Sequence, residues 1–256
     1  MCGRYAVLKT ARDRESERLF RDLVNADLAF AGIPRYNASP MQQLPVIAVR
    51  DGVLRADTMQ WWLVPHGSKD GKPMMGKDGT PLKTFNAKGE TLTTSRLYAP
   101  YFRSARCLVP ADAFYEWKTL QDQPTLPSGK QPKQPMAIRL KEGRSLMFAG
   151  LLSVWKEEGR EGQGSFSIIT TQANELMSQI HQRMPVILRE EDHNRWLDRS
   201  YKDTNELQKL IRPYPGEEME AYPVSRYVSN SKNEGPECLS PAEPEGGPRR
   251  TTGGQH

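Results

Sequence analysis

Apolar and polar positions along this chain fall mostly into short strand-like runs, interrupted by a few helical stripes and several polar excursions. Residues 3–8 form the first strand candidate and would carry the amino terminus into the interior. Runs at 43–49 and 53–62 meet at Asp51-Gly52, a strong hairpin turn signal. Further strand runs lie at 106–111, 113–118, 136–140, 145–155 and 166–170, with a last one at 219–222. Thr10 opens a predicted helix whose stripe is Leu19, Phe20, Leu23 and Val24. Ala173, Leu176, Met177 and Ile180 stand at helical spacing, and His181 falls just past them. Weaker helical stretches occupy 190–199 and 204–211. Residues 34–40 read as a rigid, proline-bracketed loop, 66–83 as a long surface loop, 119–134 as a polar excursion and 157–163 as a charged turn. From Pro236 onward no apolar period remains. The pattern predicts one α+β domain over residues 2–235, with a β-rich core of mostly antiparallel strands and a few peripheral helices, then a disordered tail at 236–256.

Composition narrows this picture without changing it. The 256 residues are 37% hydrophobic and 26% charged, polar for a globular protein but not a disordered composition. Thirty-six basic against 31 acidic residues give a net charge of +5, which permits a polyanionic partner without demanding one. Glu243, Glu245, Arg249 and Arg250 cancel in the tail, so the excess belongs to the folded part. Cys2, Cys107 and Cys238 are odd in number, and neither they nor the four histidines show metal-ligand spacing. A reducing compartment, no disulfide and no metal are expected. No apolar run reaches the roughly 18 residues of a membrane span, and no signal peptide opens the chain, so a soluble, cytoplasmic, monomeric protein without a cofactor is expected.

Four residues carry candidate chemistry. Cys2 follows the initiator methionine and is small enough to let it be trimmed, which would place an α-amine and a thiol on one residue. The amine of a chain terminus, with a pKa of roughly 7.7–8.0, is substantially neutral at neutral pH, and the thiol is intrinsically nucleophilic. Together they can meet a carbonyl twice, first as imine and then as a five-membered thiazolidine. Asn86, in Thr84-Phe85-Asn86-Ala87-Lys88-Gly89-Glu90-Thr91, offers a donor and an acceptor for orienting a nucleophile or an oxyanion. Glu116 lies between Tyr115 and Trp117 at a strand's end, and carboxyls in apolar surroundings are suited to giving and taking protons. His181, before the proline-led apolar run 185–188, is a candidate proton shuttle.

Taken in order, these stretches resemble the SRAP family, named for SOS-response-associated peptidases. The matching blocks are Met1-Cys2-Gly3-Arg4-Tyr5, Arg35-Tyr36-Asn37-Ala38-Ser39-Pro40, Gln60-Trp61-Trp62-Leu63-Val64-Pro65 and Asn86-Ala87-Lys88-Gly89-Glu90-Thr91. The run 107–118, then Ile180-His181-Gln182-Arg183-Met184-Pro185, and Pro223-Val224-Ser225 with Asn230 and Asn233 complete the set. The resemblance implies capture of abasic sites in single-stranded DNA, with Cys2 closing a thiazolidine on the ring-opened sugar. Asn86 would position the amine, and Glu116 and His181 would handle protons. It also implies DNA contacts from Arg4, Asn37, Lys88, Arg96 and Arg183, which would neutralise phosphates without reading bases. The chain departs from the family at Lys88, where arginine is usual, and at Trp62, where glycine is common. It also has His66-Gly67-Ser68 where several relatives carry aromatics, and Trp61 is expected in the core. Two other readings stand beside this one: an N-terminal-nucleophile amidase or cysteine peptidase using the same four residues, and a passive single-strand binder in which Cys2 is incidental.

Overall fold

The computed structural model describes residues 2–10, 12–14, 18–21, 23–68, 72–155 and 163–243. Its strands are β1 Tyr5–Val7, β2 Arg35–Ala38, β3 Gln43–Arg50, β4 Val53–Trp61, β5 Asn86–Lys88 and β6 Arg106–Ala111. They continue as β7 Ala113–Thr119, β8 Lys133–Leu140, β9 Leu146–Trp155, β10 Gln163–Gln172, β11 Arg183–Pro185 and β12 Met219–Pro223. The helices are short: α1 Ala26–Ala29, α2 Ala99–Ser104, α3 Glu175–Ser178, α4 Glu190–Leu197 and α5 Thr204–Gln208.

Two sheets share the core. One runs β12-β8-β7-β1-β2 and is antiparallel throughout. In the other, β10 pairs with β4, β4 with β3, β3 with β6, β6 with β9, and β9 again with β10, so the pairings close into a five-stranded barrel. Closure removes the free edges that an open sheet would expose. β10 outruns the barrel. Its first part, 163–168, lies against β9 and touches β4 at Ser165 and Phe166. Its last part takes β5 as a parallel neighbour from Ile168 to Thr170 and β11 as an antiparallel one from Thr170 to Gln172.

A single residue, Asp112, joins β6 of the barrel to β7 of the open sheet. Its N–H donates to the Ala6 carbonyl at 2.8 Å, and its carboxylate accepts the N–H groups of Leu8 at 2.6 Å and Lys9 at 3.1 Å. The same oxygen takes the fully buried Arg14 guanidinium at 2.8 Å, so the exit of β1 is fixed by a buried ion pair. Aromatic rings lock the sheets together. Tyr5 of β1 lies 5.0 Å from Trp61 and 5.9 Å from Phe148, and Phe114 of β7 lies 6.0 Å from Phe148. These are edge-on contacts between wholly buried rings, worth about 1 kcal/mol each beyond the area they bury.

The fold is the expected α+β domain with a mostly antiparallel, β-rich core. The hairpin at 51–52 forms as expected, with both turn residues at positive φ, 52° at Asp51 and 75° at Gly52. Trp61 is fully buried and its indole N–H donates to the Phe85 carbonyl. Several expectations are corrected. The proline-bracketed loop at 34–40 contains β2, because the prolines sit outside the four residues that pair with β1. Instead of a long helix from Thr10, the described residues form 3₁₀ turns at Arg12–Arg14 and Arg18–Phe20, with Leu19 and Phe20 still buried; residues 11, 15–17 and 22 lie outside the described residues. Of the charged turn at 157–163, only Gln163 is described, and it begins β10. The boundary expected at 236 falls inside packed chain. Pro236–Leu239 is a 3₁₀ turn, Cys238 is buried against Ala6, Tyr115 and Val228, and Val224 bridges Pro241. Residues 244–256 lie outside the described residues.

Candidate active site

β1 carries Cys2 into the interior, where it is fully buried. Asn86 opens β5, and its Nδ2 donates to the Cys2 carbonyl at 2.6 Å. This is the direct contact between the chain's amino-terminal segment and the barrel extension. Asn86 itself is 7% exposed, and its Oδ1 is buried with no donor among the described residues. A buried amide oxygen without a donor is unusual and costs on the order of 1–3 kcal/mol, which a functional site can carry. The Cys2 Sγ lies 3.7 Å from the Arg4 carbonyl, which also accepts the N–H of Tyr115 at 3.0 Å.

That last bond brings β7 alongside the amino-terminal segment and with it Glu116, which is 4% exposed. Burial pushes the Cys2 thiol far above its ordinary pKa, and the charge of Glu116 pushes it further the same way. At neutral pH this thiol keeps its proton.

His181 enters from the other flank of β10. It follows α3, whose N-cap Asn174 accepts the Met177 N–H, and leads into β11. β5 and β11 pair with opposite sides of β10 around Thr170, so Asn86 opens the strand on one flank of β10 and His181 leads into the strand on the other. His181 Nδ1 lies 3.0 Å from the Arg183 backbone nitrogen and 3.2 Å from the Arg183 carbonyl, so the backbone leading into β11 fixes the ring. His181 is half-buried.

The residues expected to meet a DNA strand divide into two groups. Lys88 and Arg96 are exposed. Arg4, Asn37 and Arg183 are engaged internally. Arg4 donates to Asn37 Oδ1 at 2.7 Å and to the Val228 carbonyl at 2.8 Å, and lies 5.7 Å from the Trp117 ring centre. Asn37 is fully buried and donates to the carbonyls of Val228, Asn230 and Asn233. Its whole amide is used to hold the 228–233 segment against β2, so it has no donor to offer a strand. Arg183 forks onto Glu90 at 3.0 and 2.9 Å and also donates to the Thr170 carbonyl at 2.8 Å. The fork holds the Glu90 carboxyl below the usual carboxylate range. Glu90 and Trp117 lie within the family-like blocks, but neither spacing nor residue type announces their distant partners Arg183 and Arg4.

Among the described residues no group of three His, Cys, Asp or Glu is placed to hold a metal ion, and no helix is long and apolar enough to cross a membrane. A cavity of 420 Å³ lined by Lys9, Arg144, Arg189 and His193 contains none of the site residues.

Several known proteins align with this chain over most of its length. The chain is 38% identical over 240 residues to the Abasic site processing protein YoqW of Bacillus subtilis, covering 93% of this chain and 99% of that one. It is 32% identical over 268 residues to the Abasic site processing protein HMCES of Xenopus tropicalis, covering 94% of this chain and 78% of the relative. With the Abasic site processing protein YedK of Escherichia coli the identity is 31% over 245 residues, covering 94% and 100%. A crystal structure of a protein from Bacteroides thetaiotaomicron has the same fold, with a TM-score of 0.77 at 24% identity over 94% of this chain and 100% of that one. The sequence model of the SOS response associated peptidases matches residues 1–231, and the chain belongs to that family, SRAP.

Proposed function

We propose that this protein captures abasic sites in single-stranded DNA as a covalent thiazolidine on Cys2. The observation that carries the reading is the Asn86–Cys2 contact: a buried side-chain amide, with its oxygen still lacking a donor, set against the one residue able to offer amine and thiol together. Three relatives over nearly the whole chain are named abasic site processing proteins, which supports the same substrate class.

Removal of Met1 frees the Cys2 α-amine. The ring-opened abasic sugar presents an aldehyde at C1′. The amine attacks that carbon, a C–N bond forms, and loss of one water leaves an imine. The Cys2 sulfur then adds to the imine carbon, a C–S bond forms, and the thiol proton passes to nitrogen. One water leaves in total and no oxidant or reductant is needed. Asn86 holds the amino-terminal residue, and its free Oδ1 accepts from the amine. Glu116 ferries protons during imine formation, and His181 serves the sugar oxygen during ring opening. Lys88 and Arg96 meet phosphates, while Arg4, Asn37 and Arg183 hold the frame. A thiol that keeps its proton at neutral pH favours this order, amine first and sulfur second. The product also removes the aldehyde through which an abasic strand breaks by β-elimination.

The test is an intact-mass measurement after incubation with a single-stranded oligonucleotide carrying one abasic site. The expected product is a heat-stable adduct with the mass of Met1-free protein plus DNA minus one water. It should be absent for Cys2→Ala and for a chain bearing an untrimmed residue before Cys2. Only salt-sensitive, non-covalent complexes, or full adduct formation by the extended chain, would overturn the mechanism.

A further inference from the structure

β5 is three residues long, too short to hold its shape by ladder pairing alone. Side chains add to its pairing with β10, one carbonyl after another. The Phe85 carbonyl accepts from Trp61 Nε1 at 2.9 Å, that of Asn86 from the Tyr98 hydroxyl at 3.1 Å, and that of Ala87 from Thr170 Oγ1 at 3.4 Å. The Lys88 carbonyl accepts from Thr91 Oγ1 at 3.3 Å and that of Gly89 from Gln208 Nε2 at 3.0 Å. The end of this stretch is also packed tight: a Cβ on Gly89 would lie 2.2 Å from the Ile211 side chain.

Of these donors, Tyr98 acts on the residue whose side chain reaches Cys2. Tyr98 is itself braced. Its N–H donates to Ser95 Oγ at 3.2 Å, and it leads directly into α2. The far end of α2 is gripped by the buried Arg106, which takes the carbonyls of Phe102 and Arg103 and, across from them, those of Trp196 and Tyr201. A continuous line of bonds therefore runs from the α4 terminus through α2 and Tyr98 to Asn86. We propose that Tyr98 is a positioning residue of the capture reaction, setting the Asn86 backbone from which the amide reaches Cys2. The inference rests on the capture reading above. Burial pushes the Tyr98 phenol up to about 12, so it stays a donor throughout the working range of the protein.

The experiment is single-turnover adduct formation on an abasic single strand, measured against protein concentration for the unmodified protein, Tyr98→Phe and Tyr101→Phe. Tyr101 is a control in the same helix, with its hydroxyl on the His66 N–H. In Tyr98→Phe the maximal rate is expected to fall about tenfold, the size of effect that a small misplacement of a reacting group produces. The half-saturating concentration should stay unchanged, and Tm should drop by no more than a few degrees. Tyr101→Phe should keep the full maximal rate. A maximal rate in Tyr98→Phe equal to that of the unmodified protein, a change confined to half-saturation, or an equal loss in Tyr101→Phe overturns the positioning role. Should Tyr98→Phe not fold, Ser95→Ala loosens the same tyrosine with its hydroxyl intact, and an undiminished maximal rate there overturns the proposal as well. Absence of any adduct from the unmodified protein is a different outcome and overturns the capture reading itself.

Discussion

Arg4 donates to Asn37 and the Val228 carbonyl and stacks on Trp117, whereas Lys88 and Arg96 hold their charged groups at the surface. The difference is measurable through counterion release, because each cation that neutralises a phosphate steepens the salt dependence of binding. With an intact single-stranded oligonucleotide, Lys88→Gln and Arg96→Gln are each expected to lower the slope of log K against log salt by about 0.7. Arg4→Gln should leave the slope unchanged while lowering stability. Slopes for Lys88→Gln and Arg96→Gln equal to that of the unmodified protein would show that the two side chains do not meet phosphates. Residue types able to carry chemistry could be picked out of the sequence one by one. Asn86 donates to the Cys2 carbonyl, and the charge of Glu116 raises the Cys2 thiol. Which cations are already engaged was not legible, since Arg4 and Val228 are 224 positions apart and nothing local to either reports the contact.

Elements were legible where local chemistry and long-range pairing agree. The β3–β4 hairpin announces itself through Asp51-Gly52, whose residues adopt the positive φ that the turn requires. β2 and β5 were missed because each is three or four residues held by distant partners: β2 by β1 and the 228–233 segment, β5 by a row of side chains. α2 and the end of α4 depend in the same way on Arg106. It is 2% exposed and donates to the backbone carbonyls of Phe102, Arg103, Trp196, Tyr201 and Asp198. Lysine keeps the charge but loses the planar fork. Arg106→Lys is therefore expected to cost about 3 kcal/mol, chiefly through carbonyls left unsatisfied in the interior. Urea unfolding checks this, and a midpoint unchanged from the parent protein would show that the fork is dispensable.

For the whole molecule, buried titratable groups set a stability plateau with two limbs. Burial raises the thiols of Cys2 and Cys107 and the phenols of Tyr5 and Tyr115. The unfolded chain therefore loses these protons first, and stability present below about pH 8.5 falls as pH rises beyond it. Burial lowers His193, so the unfolded chain gains that proton first, and stability present above about pH 6.5 falls as pH drops below it. Denaturant midpoints against pH should show a plateau between these limits, and His193→Gln should flatten the upper part of the acid limb. An acid limb identical in that variant would assign it to carboxylates alone. The plateau belongs to barrel and site together, and β10 is the reason. One strand closes the barrel with its first half and carries β5 and β11 with its second. The strip around Asn86 and His181 is thus built on the strand that closes the barrel, so unfolding of the ring dismantles the site along with it.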